Sequence, residues 1–333
     1  MNHLQRYLVD EFVEDYQDGR ISRRQALKLI AGITGATLAA QILAACGQAS
    51  QTQQPAVPTT AVAPTTAAVP TAAAVPTAAA PTAAAAPTAA GAAAPNSVAA
   101  DDTAIVAAMA QFPGGDGELM GYLARPAGEG SFPIVLVCHE NRGLTPHIED
   151  VARRVAKAGY VGLAVDLLSR EGGTAKVSDP ESIPGLLSGA PPARHVQDFQ
   201  SGLAYVKTQQ FAQPDRAGMV GFCFGGGVTW LVAVGIPELR AAVPFYGPPP
   251  PTSELSKINA AVLAIYAERD SRITQTAADV EKTMQENGKT YRKIVYPGVD
   301  HAFHNDTGTR YSAEAAQAAW GETLAWFKQY LHT

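Results

Sequence analysis

Five stretches of this chain are apolar almost from end to end: "FPIVLVCHE", "VGLAVDL", "AGMVGF", "RAAVPFYG" and "AAVLAIYAE". None alternates apolar with polar residues, as a strand with one wet face would. A strand that is apolar on both faces must be covered on both faces, which is the condition of a parallel sheet inside an α/β fold. The segments between them fit that cover. "HIEDVARRVAKAGY" places Ile148, Val151, Val155 and Ala158 at helical spacing and ends at a glycine. "ARHVQDFQSGLAYVKTQ", "TQTAADVEKTMQENG" and "SAEAAQAAWGETLAWFKQYL" read as further helices, and "YRKIVYPG" as one more strand. The expected architecture is a mostly parallel central sheet with helices on both faces.

That globular pattern occupies residues 101–333. Residues 47–100 carry no charge and hold Ala, Pro, Thr and Val with Pro every five or six positions. Proline at that interval removes helix N–H donors and clashes with the preceding turn, so the segment reads as a disordered, partly extended spacer. Residues 1–46 form a third unit. A polar start is followed by Arg23-Arg24 and a short run from Leu29 to Ala45 rich in Ala, Gly and Thr, too weakly apolar for a membrane span but suited to an export signal. This stretch resembles a twin-arginine signal, departing from it at Ala26. Leu43-Ala44-Ala45-Cys46 resembles a bacterial lipobox, which implies lipidation at Cys46. An uncleaved anchoring helix is the alternative. Either reading places the chain at a membrane, exported to the cell envelope or periplasm.

Composition excludes several classes. The net charge is −5 and no basic run appears, which argues against nucleic acid as a partner. The three cysteines are far apart and fit neither a zinc site nor a disulfide framework, although the sequence leaves a Cys138–Cys223 bond open. His301 and His304 lie three apart without a suitably spaced third ligand, so no metal is expected. "GFCFGG" lacks the Lys-Ser/Thr of a phosphate loop, and no cofactor is implied.

In parallel sheets the chemistry gathers at the carboxyl ends of strands. Five such ends carry reactive residue types: His139 to Arg142, Asp166 to Arg170, Cys223, Glu268 to Asp270, and Asp300-His301. Gly221-Phe222-Cys223-Phe224-Gly225 has the form of a nucleophile elbow with cysteine in the serine position. By itself this pattern also fits a buried structural thiol. The order nucleophile, acid, histidine along the chain adds to it: Cys223, then Asp270, then His301, each at a strand end. Glu268 is a rival for the acid.

The stretches "CHENRGLTPHIEDVARRVAKAGYVGLAVDL", "MVGFCFGGG", "AERDSRI" and "HAFHNDTGTRYSAEAAQAAW" together resemble the dienelactone hydrolase family, a cysteine-nucleophile branch of the α/β hydrolases. The resemblance covers nearly all of 130–333. It implies an α/β-hydrolase fold and a Cys223-Asp270-His301 triad that cleaves ester or lactone bonds through a thioester. It further implies that Glu140 contacts the thiol, and that the N–H groups of Phe224 and Asn141 form the oxyanion hole. Arg170 matches a family arginine that binds a substrate carboxylate. An aromatic usual before it is replaced by Leu168, and a second arginine by Asn305, with Arg142 and Arg310 as possible substitutes. Two other functions compete with this reading: a broad esterase or thioesterase of the cell envelope, and a non-catalytic binding lipoprotein.

Overall fold

The computed structural model describes residues 1–49 and 96–332. Most of the proposed spacer, residues 50–95, lies outside the described residues, as does the side chain of Cys46.

The sheet has eight strands: β1 (Ile105–Gly114), β2 (Gly117–Pro126), β3 (Phe132–Cys138), β4 (Val161–Asp166), β5 (Ala212–Phe222), β6 (Ala241–Phe245), β7 (Ala261–Ala267) and β8 (Tyr291–Tyr296). Their spatial order is β1-β2-β4-β3-β5-β6-β7-β8. From β4 to β8 the neighbours are parallel, while β1 and β2 form an antiparallel hairpin added against β4. This is the expected mostly parallel α/β sheet. The fully apolar runs are its central strands: β4, β6 and β7 are buried at every position.

Among the described residues ten α-helices accompany the strands: α1 (His3–Gln17), α2 (Arg23–Thr34), α3 (Ala36–Ala49), α4 (Pro146–Lys157), α5 (Ile183–Gly189), α6 (Pro192–Lys207), α7 (Phe224–Gly235), α8 (Ser271–Thr274), α9 (Ala277–Glu286) and α10 (Ala313–Leu331). Helices α4, α6, α9 and α10 lie where the apolar periodicity puts them. Each covers the sheet with its apolar face; α10, for example, buries Ala319, Trp320 and Phe327.

Helices α1 and α2 fold onto the α/β domain, and α3 packs against α2. Helix α1 starts with a capping box in which the Asn2 side chain accepts from the Gln5 N–H and the Gln5 side chain accepts from the Asn2 N–H. Its residues Leu4, Tyr7, Leu8, Glu11 and Phe12 follow i, i+3, i+4 spacing and are all buried. Burying an apolar side chain of that size contributes about 1.5–3 kcal/mol each. Helix α2 buries Ala26, Leu29 and Ile30. It runs so close to α5 that a Cβ on Gly185 would meet the Gly32 carbonyl oxygen at 2.6 Å. Lys28 on its outer side pairs with Glu181 at 2.5 Å. Among the described residues no helix is long and apolar enough to cross a membrane.

Candidate active site

Strand β5 runs directly into α7, and Cys223 is the single residue at the join. Its φ of 59° is one of three positive values among the described non-glycine residues. A side chain held in that region is strained, and such strain collects at functional turns. The flanking glycines explain how the turn closes. A Cβ on Gly221 would lie 2.3 Å from the Gly225 carbonyl oxygen, and one on Gly225 would lie 2.4 Å from the His139 carbonyl oxygen. Only hydrogen fits at either position, so the G-x-C-x-G spacing is a packing requirement of the elbow. The thiol therefore stands at the N-terminus of α7, where the helix dipole favours negative charge.

His301 follows β8 and Asp270 follows β7. Asp270 Oδ2 is 2.6 Å from His301 Nδ1, and the carboxylate side chain is fully buried. Burial pushes the Asp270 carboxyl up, but His301 and Arg272 outweigh it and hold the group below the usual carboxylate range. With Nδ1 toward Asp270, Nε2 is turned to the side of the thiol, where the Tyr7 hydroxyl lies 3.2 Å from it. Glu268, the rival acid, instead accepts the Gly298 N–H at 2.7 Å on the surface.

Two residues of α1 complete the cluster, and neither was expected from the sequence. The Tyr7 hydroxyl lies 3.2 Å from Cys223 Sγ and 3.2 Å from His301 Nε2. The Glu11 carboxylate lies 3.6 Å from the same sulfur and accepts from Asn141 Nδ2 at 3.3 Å. Burial, then Glu11, then Glu140 push the thiol well above its ordinary pKa, against the Tyr7 hydroxyl and the Phe224 N–H, which stabilise the thiolate. The resting sulfur is thus a protonated thiol. The signal for α1 was present in Leu4, Leu8 and Phe12 at helical spacing, but its five carboxylates between Asp10 and Asp18 read as a solvated polar leader.

Glu140 sits beside the cluster and is held by Asn305 Nδ2 at 2.5 Å. Burial raises its pKa. The carboxylate in contact with the thiol is Glu11, where the sequence pointed to Glu140. Asn141 is buried and lines the cavity at the thiol, and the Phe224 N–H is close enough to bias the thiol toward its charged form. The cavity has a volume of about 220 Å³ and opens between Cys223, His301, Glu140 and the α1 residues Glu11, Phe12 and Asp15. Arg142 and Arg310 are on its wall. Arg310 also pairs with Asp15 at 3.2 Å.

Arg170 is placed elsewhere. Its guanidinium is held by both oxygens of Asp198, at 2.8 and 2.9 Å, and by Asp116. It does not line the cavity at the thiol, so of the three candidate arginines only Arg142 and Arg310 reach it. Leu168, two residues before it, where the sequence departs from the family pattern, is buried in the core. Cys138 and Cys223 are both free and buried, which closes the disulfide option. His304 is enclosed by Phe222, Phe245 and Trp320, and no partner meets either ring nitrogen among the described residues. It belongs to the core, not to a ligand pair with His301. The group among the described residues that offers three donor atoms to a cation is Glu11, Cys223 and His301, all within 4.8 Å of one another.

Comparison with known proteins agrees with this architecture. The dienelactone hydrolase family model matches residues 119–331. The chain belongs to the dienelactone hydrolase family. It is 35% identical over 249 residues to a Methylorubrum extorquens protein named "Putative carboxymethylenebutenolidase", an alignment covering 71% of this chain and 86% of that one. A Bradyrhizobium relative, "Probable 2-oxo-3-(5-oxofuran-2-ylidene)propanoate lactonase", is 32% identical, covering 64% and 90%. Among solved structures, the "Putative Dienelactone Hydrolase" of Klebsiella pneumoniae superposes with a TM-score of 0.64 at 33% identity, over 68% of this chain and all of that one. These dienelactone hydrolase relatives share the α/β-hydrolase fold, and the eight-stranded sheet described above is this family's version of it.

Proposed function

We propose that this dienelactone hydrolase family member cleaves small esters or lactones by covalent catalysis at Cys223. The observation that carries the reading is the strained Cys223 at the head of α7, with a buried His301–Asp270 pair directed at it. The thiol gives up its proton as it attacks the carbonyl carbon, and His301 becomes an imidazolium held by Asp270. The carbonyl electron pair moves to oxygen, stabilised by the N–H groups of Phe224 and Asn141. Collapse of the tetrahedral species breaks the bond to the leaving alkoxide, which takes the proton from His301, and a thioester remains. His301 then deprotonates a water that hydrolyses the thioester and restores the thiol.

The cavity sets the substrate class. At about 220 Å³ it is below the range of drug-sized ligands, and its wall mixes Arg142 and Arg310 with Glu11, Asp15 and Glu140, Arg310 being paired to Asp15. A small ester or lactone fits the volume, and Arg142 is the cation on that wall proposed to meet a substrate carboxylate. A neutral-ester activity is the second reading, favoured by the engagement of Arg170 with Asp198 and by Asn305 in place of a second arginine.

The test uses the full chain and its Cys223→Ala variant with a dienelactone and a neutral short-chain aryl ester. Faster hydrolysis of the dienelactone, lost in the variant, with an acyl adduct on Cys223 in quenched mass spectra, is the expected result. Cleavage of the neutral ester alone transfers the site to the second reading. Activity that survives Cys223→Ala overturns the nucleophile and revives a binding lipoprotein with incidental activity.

The envelope location is proposed on Arg23-Arg24, the weakly apolar run that follows, Cys46 and the Pro-rich stretch. Of its two forms, lipidation at Cys46 with loss of the leader or an uncleaved anchor, the seating of α1 in the site favours the second. Fractionation with mass spectrometry of the mature N-terminus decides. A chain beginning at acylated Cys46 supports the first form, and a chain found only in the cytosolic fraction overturns both.

A further inference from the structure

Helix α1 meets the α/β domain through contacts specific to the catalytic centre. Glu14 binds Arg272, two residues beyond Asp270, at 2.5 Å, and Asp15 binds Arg310 at 3.2 Å. The Arg272 guanidinium also lies over the Tyr7 ring, 5.3 Å from its centroid. These contacts fix the Tyr7 hydroxyl within hydrogen-bond distance of both the sulfur and the imidazole nitrogen. With α1 in place the cavity beside the thiol remains, and Glu11, Phe12 and Asp15 form part of its wall. The helix therefore bounds a substrate site and leaves room in it, which a plug would not.

We propose that Tyr7 is a catalytic residue: its hydroxyl relays the thiol proton of Cys223 to His301. The inference rests on the covalent reading of the site given above. At rest the phenol donates to sulfur and the thiol donates to Glu11. As sulfur bonds to the carbonyl carbon, the phenol O–H turns to His301 Nε2, the S–H proton passes to the phenol oxygen and the phenol proton passes to Nε2. The phenol is neutral before and after, so no free phenolate forms, and the positive charge ends on the imidazolium beside Asp270. On collapse of the tetrahedral species the same hydroxyl returns a proton from His301 to the departing alkoxide. Burial and the neighbouring Cys223 and Glu11 keep the phenol protonated, as a relay requires. Glu11 is the second wall of the relay, 4.0 Å from the same imidazole nitrogen. The active site then includes the first helix, and removal of residues 1–20 is expected to cost at least what Tyr7→Phe costs.

Tyr7→Phe in the full chain keeps the ring and its packing and removes the hydroxyl. Placed beside wild type and Cys223→Ala, it is expected to lose about 10²-fold in kcat with KM nearly unchanged, at the lower end of what a positioned proton-transfer group supplies. The pH midpoint for alkylation of Cys223 by iodoacetamide, followed by mass spectrometry, is expected to move upward, an effect that loss of packing would not produce. Wild-type kcat and alkylation profile in Tyr7→Phe overturn the relay, and a rise in kcat overturns it in favour of an autoinhibitory helix. If instead Cys223→Ala remains active, the covalent reading fails and takes the relay with it. A measurement on wild type alone guards against misfolding of the variant. In mixtures of light and heavy water a two-proton transfer in acylation gives a curved dependence of rate on deuterium fraction, and a linear dependence overturns the proposal.

Discussion

Asp270 and His301 are joined through Oδ2 and Nδ1 at 2.6 Å, and this pairing decides which imidazole nitrogen is available to the thiol. Asp270→Asn keeps the shape but can present an N–H to Nδ1, which drives the ring into the opposite tautomer. The expected loss in kcat is on the order of 10³- to 10⁴-fold, with KM little changed, by analogy with the same substitution in serine triads. Steady-state kinetics of the folded variant check it.

Arg170 is expected to matter for stability and not for substrate binding. Its partner Asp198 has a fully buried side chain, so Arg170→Ala leaves a buried carboxylate unpaired. Leaving a buried polar group without its partner costs about 1–3 kcal/mol. Denaturant unfolding should show that loss while KM for a carboxylated lactone stays at the wild-type value. Arg142→Ala, on the cavity wall, should do the reverse.

Acid should destabilise the protein in two stages. Burial holds His304 well below its ordinary value, pushes His195 down to about 3 and lowers His139. In the unfolded chain these residues protonate near pH 6.5, so below that pH the unfolded state binds more protons than the folded one. The stability is complete above about pH 6.5 and is lost progressively as pH falls. A second loss begins near pH 4, where Asp306 and Asp270, both held low in the fold, protonate in the unfolded chain. Thermal unfolding between pH 8 and 3 measures both. His304→Phe should flatten the first stage, since neither ring nitrogen has a hydrogen-bond partner to lose among the described residues.

Zinc should inhibit the enzyme. Glu11, Cys223 and His301 offer oxygen, sulfur and nitrogen ligands within 4.8 Å of one another, a donor set suited to Zn²⁺, and two of the three are the proposed nucleophile and base. Added Zn²⁺ is expected to abolish hydrolysis and a chelator to restore it. Glu11→Gln should weaken the inhibition, and unchanged zinc sensitivity in that variant would show that the ion binds elsewhere.

The parallel part of the sheet was legible because β3 to β7 are too apolar to be anything but doubly covered strands. The meeting of Cys223, Asp270 and His301 was legible because strand ends and chain order restrict which residues can come together at one edge of the sheet. The β1–β2 hairpin was missed. β1 is an edge strand with few buried positions, so its sequence carries little apolar signal, although Gly115-Asp116-Gly117 is a turn signature. Tyr7 and Glu11 were missed for a different reason. Their roles depend on a contact between segments 216 and 212 residues apart, which local periodicity does not encode. Arg170 shows the converse: its position along the chain matched a binding role, but Asp116 and Asp198 claim its guanidinium.

The seating of α1 also makes the completeness of this site a question of molecularity. Strands β5, β7 and β8 bring Cys223, Asp270 and His301 together through one hydrogen-bonded sheet, but the only covalent link from Tyr7 to them is the chain that runs through residues 50–95. That connection makes docking of α1 a first-order event, independent of protein concentration. A cut anywhere within it would turn docking into a second-order one, so a nicked enzyme would lose specific activity on dilution and regain it when a synthetic α1–α3 peptide is added. The same logic permits the first helices of one chain to complete the site of another, a route to exchanged dimers at high concentration.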